Sequence, residues 1–163
     1  MPSGVTNAGK AWILEVAFRD QMNGGVLVDD MYVALIKSTV APTIDHDRWV
    51  DLKANQIATG NGYDDGGKTI SRGASSFDVI SDVSTSETND YGHVQLTNIE
   101  WEASGGSIPD SGDGARYALL LDKDGDAKPH DNNKIIAWWD LGSDRPVTNG
   151  QTLSLQDMEI RLS

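Results

Sequence analysis

Apolar residues recur along this chain with two periods. Over residues 7–22, Trp12, Ile13, Val16 and Ala17 return at helical spacing, Leu14 and Phe18 form an i, i+4 pair, and Lys10, Arg19 and Asp20 supply the polar side. Asn7 stands where an N-cap belongs and Gly24-Gly25 where a helix stops, so the pattern predicts an N-terminal α-helix over about 7–22. From Met31 to Lys37 both alternating sets are apolar, the mark of a strand covered on both faces. Between Pro42 and Thr59 the signal is weaker. Trp49, Leu52 and Ile57 would share one side of a short helix capped by Asp45 or Asp47.

The run Gly60-Asn61-Gly62-Tyr63-Asp64-Asp65-Gly66-Gly67 is turn chemistry, because glycine and asparagine accept positive φ. Two strands follow, Phe77–Val83 and His93–Ala103, joined by the polar link Ser84–Gly92. Within the second, Val94, Leu96, Ile99 and Trp101 are inward candidates, and the one-residue shift between Leu96 and Ile99 predicts a β-bulge near Thr97. After the Gly/Ser/Pro/Asp loop Ser104–Gly114 comes a strand over Ala115–Leu121. After the polar link Asp122–Asn133 comes another over Lys134–Leu141, again with two apolar faces. On that strand the neighbours Trp138 and Trp139 must point to opposite sides, one to the core and one to a surface that a second subunit could cover. The turn dipeptide Asn149-Gly150 precedes two half-buried strands, one carrying Leu153 and Leu155 and the other Met158, Ile160 and Leu162. About seven short strands behind one helix predict a single domain over 1–163, mainly β, an antiparallel β-sandwich with an N-terminal α-helix.

Composition sharpens this picture in three ways. Seventeen glycines favour a turn-rich β architecture. A formal charge of −12 repels phosphate, so direct nucleic-acid binding is not expected, and the same acidity keeps a protein soluble. The absence of cysteine excludes disulfides, thiol catalysis and Cys-based zinc sites. The first residues lack a basic n-region, and Lys10, Glu15, Arg19 and Asp20 interrupt the apolar stretch behind them. Neither a signal peptide nor a membrane span is expected there, and a protein made in the cytoplasm is.

A search for chemistry assembles no catalytic, cofactor-binding or metal residues, and an enzyme is not expected. His46, His93 and His130 stand apart with no ligand spacing between them. There is no G-x-S-x-G elbow, and the glycine cluster at 60–67 lacks the Gly-Lys-Ser/Thr ending of a phosphate loop while carrying aspartates that would repel phosphate. The pairs Asp29-Asp30 and Asp64-Asp65 sit in polar links, where adjacent carboxylates remain solvated. Asp122-Lys123-Asp124-Gly125-Asp126, with Asp131 beyond, places carboxylates at alternating positions where they could converge on calcium. It is not an EF-hand: glycine falls at the fourth position and Asn133 at the twelfth, so a plain strand connection and a calcium loop stand as alternatives. Five tryptophans admit a sugar-stacking surface beside the core-packing role expected of most of them.

Several fragments, in this order, carry a resemblance: Tyr32-Val33-Ala34-Leu35 after the N-terminal helix, Gly60-Asn61-Gly62-Tyr63, Trp101-Glu102-Ala103, Tyr117-Ala118-Leu119-Leu120, Ala137-Trp138-Trp139-Asp140-Leu141, and Val147-Thr148-Asn149-Gly150-Gln151-Thr152-Leu153. Together they resemble a group of small tailed-bacteriophage virion structural proteins, described as decoration or tail-fibre proteins. The resemblance implies a virion component on a small β domain and transfers no catalytic residue. No heptads, collagen-like tract or short repeat is present, which a long fibre shaft would need, so a compact subunit is expected. The expected role is a capsid decoration (cement) protein on the outer head surface, contacting the major capsid protein or neighbouring virion proteins. The alternative is a tail-tip or tail-fibre-associated module that recognises host-surface glycans. The surplus of apolar strand faces predicts a symmetric homo-oligomer, with a trimer favoured.

Overall fold

In the computed structural model, the residues described are 3–6, 8–9, 13, 30–72, 75–77, 84–86, 91–123 and 126–162, of which 3, 84–86, 91–93, 161 and 162 are described in backbone only. The chain is mainly β, and its strand pairs are antiparallel. The strands are β1 (Ser3–Val5), β2 (Asp30–Ile36), β3 (Lys68–Ser71), β4 (Ser84–Ser86), β5 (Tyr91–Gln95), β6 (Ile99–Glu102), β7 (Ala115–Asp122), β8 (Ile135–Arg145), β9 (Thr152–Leu155) and β10 (Glu159–Leu162), with a helical turn, α1 (Trp49–Leu52), continued by a 3-10 turn over Lys53–Asn55, between β2 and β3.

The three runs with two apolar faces form the middle of a five-stranded sheet ordered β1-β8-β7-β2-β3. Alternation along β2 and β7 sends Met31, Val33, Leu35, Ala118 and Leu120 into one core and Tyr32, Ala34, Ile36, Leu119 and Leu121 into a second. The first core is completed by Leu96, Ile99, Trp101, Leu153, Leu155 and Met158, and the second by Trp49 and Leu52 of α1. Strand β8 carries an extra residue opposite β7, since Leu120 pairs with Ala137 and Leu121 with Ile135. A bulge turns consecutive side chains to the same side, and Ile136 and Ala137 accordingly both enter the first core. Beyond it the alternation resumes: Trp139 is fully buried in the first core, and Trp138 packs half-buried against the second.

The strand pairs β5–β10 and β6–β9 form one ribbon. Gln95 pairs with Glu159 and Ile99 with Leu155, leaving three residues on each side between the two ladders, so the register is kept across the gap. Leu96 N–H donates to Met158 O within the gap, while Thr97 N–H turns away to Ser76 O at 2.8 Å. A break near Thr97 is thus present, but it is a matched interruption of both strands and not a bulge with one extra residue.

Other boundaries differ from the sequence reading. Of the helix expected over 7–22, only Ala8, Gly9 and Ile13 are described, each with helical backbone, and the remainder lies outside the described residues, which does not establish the element. Gly9 N–H donates to Thr6 Oγ1 at 2.8 Å, three residues on, as an N-cap bond does, and Asn7, the expected cap, lies outside the described residues. Neither Asp45 nor Asp47 caps α1. Arg48 occupies the cap position, its N–H donates to Asp51 Oδ2 at 2.9 Å, and Asp47 instead accepts from Ala8 N–H. Ile57 lies past the helical turn and enters the first core. Phe77 is a buried residue in a bend, residues 78–83 lie outside the described residues, and the supposed link 84–92 contains β4 and the start of β5.

Candidate functional site

The polar residues that sequence spacing drew together are largely committed to holding the fold. Asp122 is the last residue of β7, and its side chain is fully buried. Its Oδ1 accepts from Lys134 N–H at 2.6 Å and from Asn133 Nδ2 at 3.2 Å, tying the end of β7 to the start of β8. Asp124 and Gly125 lie outside the described residues, Asp126 is exposed and 4.0 Å from His130 Nε2, and Asp131 pairs with Lys53. Among the described residues no three His, Asp or Glu side chains converge on a point where a metal could sit. The sequence placed Asp122 at the start of the polar link, and the strand runs one residue further than expected to include it.

The histidines are separate in space as well. His46 Nδ1 accepts Thr43 N–H at 3.0 Å, with the Thr43 hydroxyl at 3.3 Å, closing an exposed turn. His130 Nδ1 accepts Asn132 N–H at 3.1 Å in a different loop, and His93 lies in the backbone-only part of β5. Of the paired carboxylates, Asp29 is outside the described residues. Asp30 binds Lys123 and Ser71, and the lysine ammonium foremost holds its carboxyl below the usual range. Trp49, Trp101 and Trp139 bury their rings, and Trp12 lies outside the described residues. Trp101 packs in the first core, where its ring lies 6.0 Å from that of Tyr63.

Tyr63 was not singled out by sequence, yet it fixes the glycine turn to the sheet. Strand β3 covers β2 only as far as Val33. Beyond it the Tyr63 hydroxyl accepts Leu35 N–H at 2.9 Å and reaches Leu35 O at 3.4 Å, while Ile57 N–H donates to the same carbonyl. Burial pushes the Tyr63 phenol up from its ordinary value. At the far end of β7, Arg116 makes a two-point pair with Asp140, at 2.7 and 3.1 Å, and lies over the Tyr117 ring. The pair holds the Asp140 carboxyl below the usual range, Arg116 being the main cause.

Two surface grooves flank the β6–β9 ribbon. The first, of about 500 Å3, lies between the outer edges of β3 and β6 and is acidic, with Asp64, Asp65, Glu100 and Glu102. Two lysines also line it: Lys68 Nζ donates to Glu100 O at 2.9 Å, and Lys128 Nζ lies 3.4 Å from Asp65. The second, of about 480 Å3, lies along β9 and the end of β8, and Arg145 is the one ionisable residue in its lining. What these surfaces offer chemically is contact: an acidic groove on one side of the ribbon, and on the other a groove whose lining holds few charged residues. No protein-family model, no curated protein and no solved structure matches the chain.

Proposed function

We propose that this protein is a structural subunit of a tailed-bacteriophage virion, a decoration protein on the outside of the head that braces joints between major capsid subunits. The observation that carries the reading is where the six resembling fragments lie. Tyr32–Leu35, Tyr117–Leu120 and Ala137–Leu141 fall on the adjacent strands β2, β7 and β8, and Tyr63 of the turn bonds to Leu35 of the first. Trp101–Ala103 pairs with the Gln151–Leu153 end of the last fragment. Fragments scattered over more than a hundred residues therefore meet in one scaffold, as a shared fold would require. The finer architecture belongs to the same reading: a two-layer sandwich in which the ribbon faces the five-stranded sheet and an N-terminal helix enters beside β1.

A cement subunit works through area and copy number. Many weak contacts across capsid joints add up by multivalency to resist the pressure of packaged DNA. The charge of −12 supports an outer position, away from dense phosphate, with neighbouring virion proteins as partners and no catalytic or cofactor chemistry of its own. The buried rings of Trp49, Trp101 and Trp139 give the glycan-recognition alternative no stacking face among those three residues.

Contacts that exist only in the assembled shell stabilise it by mass action, so particles lacking the protein should assemble but release DNA at a lower temperature, and adding purified protein should restore the difference. Unchanged heat resistance together with lost adsorption to host cells would overturn this reading and favour the tail-tip module.

A further inference from the structure

We draw no further inference here: the strongest candidate, the acidic groove between the outer edges of β3 and β6, is a cluster of exposed carboxylates at Asp64, Asp65, Glu100 and Glu102 with two lysines among them, and nothing in the structure shows what covers it.

Discussion

Two side chains carry structural work out of proportion to their size. The Tyr63 hydroxyl replaces a strand where β3 ends, so Tyr63→Phe leaves Leu35 N–H unsatisfied in the core. An orphaned buried donor costs about 2 kcal/mol, which for a chain of this length lowers the melting temperature by roughly 4–8 °C. The same residue imposes a pH dependence. Burial raises its folded-state pKa, so its stabilisation is complete below the ordinary tyrosine value of about 10 and is lost as pH rises above it. Denaturant melts across the alkaline range should show that decline, and Tyr63→Phe should flatten it. Asp122 is the second case. Asp122→Ala strips Asn133 Nδ2 and Lys134 N–H of their acceptor, at a cost of about 3 kcal/mol. If the aspartate serves the fold, that loss should be the same with and without millimolar calcium, and calcium should leave the wild-type melt in place. A calcium-dependent rise of several degrees that Asp124→Ala abolishes would instead make the loop a metal site.

At the scale of elements, close approach of backbones decides what a turn tolerates. Gly67 has φ +80°, and a Cβ there would stand 2.0 Å from Val33 O, where the β2–β3 pairing ends. Gly67→Ala should therefore destabilise by more than about 1 kcal/mol, whereas Gly150→Ala, at φ +81° with open space around it, should cost only the backbone strain. Comparing the two melting temperatures checks the difference. The elements that sequence revealed best were those with burial on both faces, because the runs Met31–Ile36, Tyr117–Leu121 and Ile135–Trp139 at the heart of β2, β7 and β8 hold no charged residue. The C-terminal strands were equally plain, since Leu153 and Leu155 alternate with Thr152 and Ser154. What stayed hidden was set by partners far along the chain. Ser84–Ser86 has no apolar signal and is a strand only because β5 pairs with it. Thr6 caps through a bond that local propensity gives equally to Asn7. No candidate site was legible beyond weak spacing, because Asp122 reads as a loop ligand until its burial is known.

For the whole molecule, the fold and the charge point the same way. A framework with apolar residues on both faces of its central strands leaves the charge of −12 to the exterior. Such a surface suits association with other proteins over binding to nucleic acid. The incubation of purified protein with host peptidoglycan or polysaccharide should accordingly release no product, and turnover that vanished on changing one carboxylate would contradict that. The central claim, a subunit present in many copies on the head exterior, is tested most directly by gold-labelled antibody against this protein on intact phage particles. Label distributed over the capsid surface is the predicted result, and label confined to the tail tip would contradict it.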